Sequence, residues 1–341
     1  MAIRLFDVRA VGASFDVCAI GNAIVDIIAD SDDAFLSVHE IAKGSMTLID
    51  EERADFLYAR IGPAVETSGG SAANTAAGIA AFGGTPTYIG KVKDDQFGKI
   101  FRHDLKTLGV HFATPPLSEG PATARCLILV TPDAQRSMNT YLGACVELTV
   151  ADIDPAPIRG AQITYLEGYL FDKPTAQAAF LEAAKIAHAA DRQLALTLSD
   201  PFCVERHRGA FQELVQNEVD ILLANELELM ALYQAPTFEA ALKAAREKCK
   251  IVVGTRSEKG AVIANNSETI VVSAEPVTHV VDTTGAGDLF AAGFLYGLTH
   301  GHDLAVSARL GALASAEVIS HYGPRPRRAL KEIVKEKGIR I

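Results

Sequence analysis

Short runs rich in Val, Ile and Leu recur along most of this chain, and longer Ala-rich segments with helical spacing separate them. The spacing predicts strands over 87–92, 161–166, 194–198, 220–224 and 250–254, and helices over 96–108, 175–190, 205–216 and 238–248. A first strand over 16–20 precedes them. Runs that are apolar at successive positions have both faces buried, and the helices between them in sequence supply the cover. The expected fold class is therefore α/β, a three-layer sandwich in which helices flank a mostly parallel central sheet. Beyond Val271 the pattern turns helical, over 285–298, 302–320 and 327–337.

Two regions break this rhythm. Residues 24–68 mix short strand-like runs with one helical stretch over 51–60, and residues 122–142 read as a hairpin, ATARCLILV and RSMNTYL around TPDAQ. Extra strands inserted at two places can pair into a second, small sheet, which acts either as a lid or as a static extension. The 341 residues, at about 150 per domain, suggest roughly two domains. The pattern favours an unequal division: a large α/β domain from 1–23, 67–121 and 143–341, and a discontinuous small β-sheet, the candidate lid, from 24–66 and 122–142.

The balance of 32 basic against 42 acidic residues leaves a net charge of -10, which opposes non-specific attraction to nucleic acid or anionic membrane. One basic run stands out, Arg325 to Arg328. No stretch of 18 apolar residues occurs, and the N-terminus, with Arg4, Asp7 and Arg9 among short apolar patches, lacks the apolar core of a secretory signal. Cys18, Cys126, Cys145, Cys203 and Cys249 lie far apart, with no C-x-x-C and no histidine at zinc-site spacing. Buried free thiols in a cytoplasmic protein are expected, with no nucleic-acid or membrane partner. Monomer and homodimer are equally compatible with the sequence.

The strongest local motif is DTTGAGDLFAAGFLYGL at 282–298. Thr284 is the expected N-cap, and Gly285, Ala286 and Gly287 leave the first-turn amides unobstructed. Free amides at a helix start, with the helix dipole, suit phosphate oxygens or a developing negative charge. Asp288 repels phosphate and makes sense as a base that takes a proton from an attacking hydroxyl. Taken alone, the motif reads equally as a tightly packed helix start with a favourable first-turn charge. In GGSAANTAAGIAAFGG, Gly69 and Gly70 allow close backbone approach and Asn74 offers a donor and acceptors. In IGNAIVDI, Asn22 and Asp26 follow the first strand, where an open sheet binds ligands. Each of these two also reads as an ordinary cap or turn.

The chain lacks G-x-x-x-x-G-K-[ST], G-x-G-x-x-G, H-R-D with D-F-G, and G-x-S-x-G, which removes the main support for P-loop, dinucleotide-binding, protein-kinase and esterase readings. His300 and His302 have no third ligand at a sensible spacing, so exposed histidines after a helix are expected there.

The ordered set N-x-x-x-D, G-G-x-x-x-N and D-T-T-G-A-G-D resembles the ribokinase-like (PfkB) family of carbohydrate and nucleoside kinases, from Gly21 to about Pro326. KDDQFG at 93–98, NELE at 225–228 and TRSEKGA at 255–261 match further family segments. The resemblance implies the ribokinase-like fold with its β-sheet lid, ATP and Mg2+ as cofactors, and a monovalent cation such as K+ as a further possibility near the 282–288 loop. It makes Asp288 the general base and Gly285, Ala286 and Gly287 the anion hole. Asn225 and Glu228 would organise magnesium and phosphate through water, and Thr255, Gly260 and Thr283 would contact ATP. Asn22, Asp26, Gly69, Gly70, Ser71 and Asn74 would bind the acceptor's hydroxyls.

Four details are similar to the adenosine kinase branch: GNAIVDI, GGSAAN, RSMNTYL and LTLSDPF. That likeness implies that Arg136 stabilises the transferred phosphoryl group and that Met138, Leu142, Tyr169 and Phe202 line a slot for a base. Two positions depart from the branch. Thr284 is the residue usual in sugar kinases, and Asp200 stands where a small residue is common, either contacting a purine amino group or marking another substrate. The implied activity is phosphorylation of the 5'-hydroxyl of adenosine, with a ribokinase or fructokinase type sugar kinase as the alternative and a non-catalytic nucleoside-binding protein behind both.

Overall fold

The computed structural model describes residues 13–340, so the N-terminal segment with Arg4, Asp7 and Arg9 lies outside the described residues. Nine strands form the larger sheet, in the spatial order Thr269–Val272, Ala261–Asn265, Ile251–Thr255, Ile221–Asn225, Gln193–Thr197, Ala161–Glu167, Phe15–Ile20, Pro86–Ile89 and His111–Phe112. All neighbours pair parallel except at one edge, where Ala261–Asn265 runs antiparallel to both of its neighbours. Side-chain alternation divides the core into two layers. Along Phe15–Ile20, Val17 and Ala19 join the helices Ser71–Ala81, Ala286–Thr299 and Leu304–Val318. Cys18 and Ile20 join Pro174–Ala189, Glu226–Tyr233 and Phe238–Arg246 on the other face. The three expected layers are present, because each central strand has an apolar residue for either side.

The smaller sheet has the order Met46–Leu48, Arg136–Tyr141, Ala124–Val130, Ile24–Asp30 and Ala64–Gly69. One face packs Leu127 against Ala54 and Leu57 of the helix Glu51–Tyr58. Register puts Asp26, Cys126 and Thr140 side by side on the opposite face. Strand Ala64–Gly69 crosses the expected boundary at 66 and runs directly into the helix Ser71–Ala81.

Several boundaries differ from expectation. The single helix expected over 205–216 is two, Pro201–Arg206 and Arg208–Asn217, because Asp200 caps a helix with Pro201 in its first turn and the chain breaks at His207. Strands Ala261–Asn265 and Thr269–Val272 form a hairpin at the sheet edge that the expected set lacks; Asn265 Oδ1 accepts from the Ser267 and Glu268 amides and so closes its turn. All five cysteines are free and buried. Among the described residues, no helix is long and apolar enough to cross a membrane.

Candidate active site

The parallel strands end on one side of the sheet, and the chain places polar residues there: Asn22 just beyond Phe15–Ile20, Glu167 ending Ala161–Glu167, Asn225 ending Ile221–Asn225 and Thr255 ending Ile251–Thr255. Two helix starts meet at this rim. In one, Gly70 (φ 92°) turns the chain out of strand Ala64–Gly69 and Ser71 begins the helix. In the other, Gly285 (φ 79°) precedes Ala286. The expected cap Thr284 does not cap that helix. Its hydroxyl donates to Asp282 Oδ1 at 2.7 Å instead, and the left-handed turn falls to Gly285, where glycine carries no Cβ strain.

Asp288 links the two starts. Its Oδ1 accepts from Ser71 Oγ at 2.6 Å and its Oδ2 from Asn74 Nδ2 at 2.8 Å. Burial raises its pKa above the ordinary carboxylate value, against the opposing effect of those two hydrogen bonds and the Arg325 charge. Ala286 N reaches Thr283 O at 3.2 Å, while the next two amides open the helix without intrahelical acceptors. A Cβ added at Gly287 would meet nothing within 4 Å, so the space over this helix start is open.

Asn22 and Asn74 are buried, and each donates its amide nitrogen inward, Asn22 Nδ2 to Glu167 Oε1 at 2.8 Å. Their side-chain oxygens are buried with no partner, which leaves two acceptors for donors from outside the chain. Asp26 is buried beside Gly69, and its carboxyl is pushed up to about 6, chiefly by burial. The sequence reading missed Glu167, although an acid ending an apolar parallel strand is itself a signal. It is 1% exposed, accepts from Ala72 N at 2.8 Å and is pushed up to about 7 by burial.

Arg136, on the smaller sheet, donates to Asp282 and, at 3.2 Å, to Thr284 Oγ1; its Nε and Nη2 are buried without partners. Burial pushes the Asp282 carboxyl up, but hydrogen bonds from Thr284 and Gly323 and the Arg136 charge outweigh it and leave the pKa below the ordinary value. Met138 and Leu142 are partly buried on and just after the same strand. Tyr169 and Phe202 lie just after strands Ala161–Glu167 and Gln193–Thr197 of the larger sheet and are 42% and 69% exposed, so they present aromatic surface to solvent. Asp200 accepts from Cys203 N at 3.0 Å as a helix cap.

Further along the rim, Asn225 and Glu228 form a reciprocal capping box: Glu228 N donates to Asn225 Oδ1, while Asn225 N and Nδ2 donate to the two Glu228 oxygens. Burial lifts the Glu228 carboxyl to about 7. Thr255 and Gly260 flank a turn that Arg256 N closes on Gly260 O at 2.7 Å, and Thr283 is exposed just before the Gly285 turn.

The family model described as pfkB family carbohydrate kinase matches residues 15–329. Among solved structures, a probable sugar kinase from Rhizobium etli CFN 42 is similar at TM-score 0.88 and 52% identity, over 96% of this chain and 99% of that one. An adenosine kinase from Sinorhizobium meliloti is similar at TM-score 0.87 and 52% identity, over 95% and 100%. An adenosine kinase of Schizophyllum commune is 29% identical, with 92% of this chain and 97% of that protein covered.

Proposed function

From the chain's membership of the pfkB family of carbohydrate kinases, and hence its standing as a nucleoside or sugar kinase, we propose that it transfers the γ-phosphoryl group of ATP to the 5'-hydroxyl of adenosine. The observation that carries the reading is Asp288, held by Ser71 and Asn74 at a helix start whose amides face open space. An acceptor hydroxyl beside Asp288 loses its proton to the carboxylate as its oxygen attacks phosphorus in line and the bond to the ADP oxygen breaks. A base with a raised pKa suits that transfer near neutrality. The open first-turn amides of Gly287 and Asp288 stabilise the charge on the phosphoryl oxygens, and the unpartnered donors of Arg136 add a planar cation. Asn22, Asp26 and Asn74 would take the acceptor's hydroxyls.

Among the described residues, no group of three or more His, Cys, Asp or Glu side chains stands together as a metal cage. A magnesium ion brought by ATP would need no such cage. Asn225 and Glu228 fit contact through water, since their own polar atoms already hold each other. The ion supplies neutralisation of phosphate charge.

We read the smaller sheet, from 24–66 and 122–142 with its last strand reaching Gly69, as a lid. On the face that carries buried Asp26 and Cys126, the outer side chains of Met46, Leu48 and Val65 are exposed, and Arg136 ties the sheet to Asp282 across the site. Adenosine is favoured over a free sugar for two reasons: relatives bear the name adenosine kinase, and exposed Tyr169 and Phe202 offer stacking surface that a base uses and a sugar does not need. A coupled ADP-release assay with adenosine, inosine, guanosine, ribose and fructose tests this. Adenosine should turn over fastest; ribose or fructose far ahead of every nucleoside would establish the sugar-kinase alternative.

A further inference from the structure

The basic run at Arg325 to Arg328 divides in the structure. Arg327 and Arg328 point their amides at Glu317 Oε1, at 2.9 and 3.0 Å, whereas the Arg325 side chain turns inward. Its Nη1 donates to Ala73 O at 2.7 Å, and its Nη2 donates to Ser68 O at 2.8 Å and Ser68 Oγ at 3.0 Å. These acceptors flank the Gly69–Gly70 turn, one on the last strand of the smaller sheet and the other in the first turn of the helix that carries Ser71 and Asn74. Asp104 holds Ser68 from the other side, accepting from its amide at 2.8 Å and its hydroxyl at 2.5 Å. The two residues before Arg325 reach the other helix start. Gly323 N donates to Asp282 Oδ2 at 3.0 Å, and a Cβ at Gly285 would meet Pro324 Cβ at 2.7 Å. Three consecutive residues thus touch both glycine turns of the site.

We propose that Arg325 is a positioning residue for phosphoryl transfer: its planar fork clamps the two sides of the Gly69–Gly70 turn, and so fixes Ser71 and Asn74 on Asp288 and the end of the smaller sheet on the helix. A guanidinium bonds two carbonyls at once in a way that one ammonium does not reproduce. Its charge also acts on Asp26 and Asp288, lowering both against the burial that raises them. The other titratable groups facing Asp288 are Asp26, Glu167, Tyr165 and Tyr169, all of acidic type, which leaves Arg325 as the cation acting on it among the described residues. The charge effect rests on the reading of Asp288 as the base; the clamp does not.

Arg325→Lys keeps the charge and loses the fork. With adenosine as acceptor, or ribose if ribose alone turns over, it should raise the acceptor KM about tenfold and leave the acid limb of the kcat pH profile in place. Arg325→Met loses both, and should also move that acid limb up by about one pH unit, because the base stays protonated to higher pH. Thermal unfolding of each variant identifies those that fold. An acceptor KM within twofold of the parent in a folded Arg325→Lys overturns the clamp, and decides the matter if the Met variant does not fold. An unmoved acid limb in a folded Arg325→Met overturns the charge effect. Asp288→Asn, assayed alongside, separates the two readings: near-parental kcat there would sink the base assignment while the KM of Arg325→Lys still reports on the clamp.

Discussion

The helices Ser71–Ala81 and Ala286–Thr299 both begin at a glycine with left-handed φ and no side-chain cap, yet their free amides have different fates. At the first, a protein carboxylate occupies the helix start: Glu167 accepts from Ala72 N, and a Cβ at Gly70 would strike Asn22 O at 2.1 Å. At the second, no side-chain oxygen takes the first-turn amides among the described residues, and the space above Gly287 is empty. One helix start carries its own carboxyl group and is packed shut. The other begins at a glycine with positive φ but a different ψ, 0° against 139°, and leaves room for an anion from outside. Similar glycine-rich sequences therefore encode a packed joint in one place and, in the other, an open helix start that we propose as the phosphoryl cradle, and the difference lies in what stands opposite each.

Asp288 belongs to the open start but is held by the closed one, so its removal should have the largest effect. Asp288→Asn keeps the shape and a hydrogen-bonding group but removes the base. Steady-state kinetics should show kcat lowered by about a thousandfold or more with acceptor KM nearly unchanged. A kcat within tenfold of the parent would mean that the joint merely stores a charge there.

Gly70→Ala attacks the closed start. The left-handed φ alone costs about 1–3 kcal/mol for a residue with a Cβ, and the clash is with backbone, which cannot rotate aside. Urea unfolding should show a loss upward of about 3 kcal/mol, or failure to fold. A loss below about 1 kcal/mol would show that the turn is not the rigid joint described.

The two starts also differ in how far sequence alone reveals them. DTTGAGD lies within seven consecutive residues, so its chemistry is legible from those residues by themselves, and the buried strands each announce themselves by their own apolar run. The closed start depends on partners far apart in sequence: Asn22 and Glu167 are separated by 145 positions, and Ser68 and Arg325 by 257. The local marks on Glu167 and Arg325 are slight, an acid at the end of an apolar strand and a basic run, and their partners follow only from strand order and from the return of the chain after helix Leu304–Val318. Thr284 illustrates a local rule overridden: it has the chemistry of a cap, but Asp282 takes its hydroxyl and backbone geometry gives the cap position to glycine.

Protons test how the Glu167 carboxyl acts at the closed start. Its folded pKa, about 7, lies above its ordinary 4.5, so its contribution to stability is full below 4.5 and is lost as pH rises through about 7. Stability to urea should fall across that window, with Glu167 responsible for about 3 kcal/mol of the fall. Asp26 and Glu228 are raised as well and contribute in the same direction, so Glu167→Gln should flatten the fall in part. An unchanged pH dependence in that variant would remove Glu167 from the helix start's electrostatics.

Gly287→Ala has the smallest expected effect and separates the two starts most cleanly. Its added methyl meets no protein atom, and alanine within a helix is favoured over glycine by about 1 kcal/mol, so the unfolding midpoint should hold or rise slightly. The methyl does enter the space where phosphate oxygens would approach the amides, and kcat/KM for ATP should fall about tenfold. Loss of stability without loss of activity would make both glycine turns structural. Loss of activity in a fully stable protein would leave a missing ligand as the reason for glycine at this position, because no protein atom needs the room.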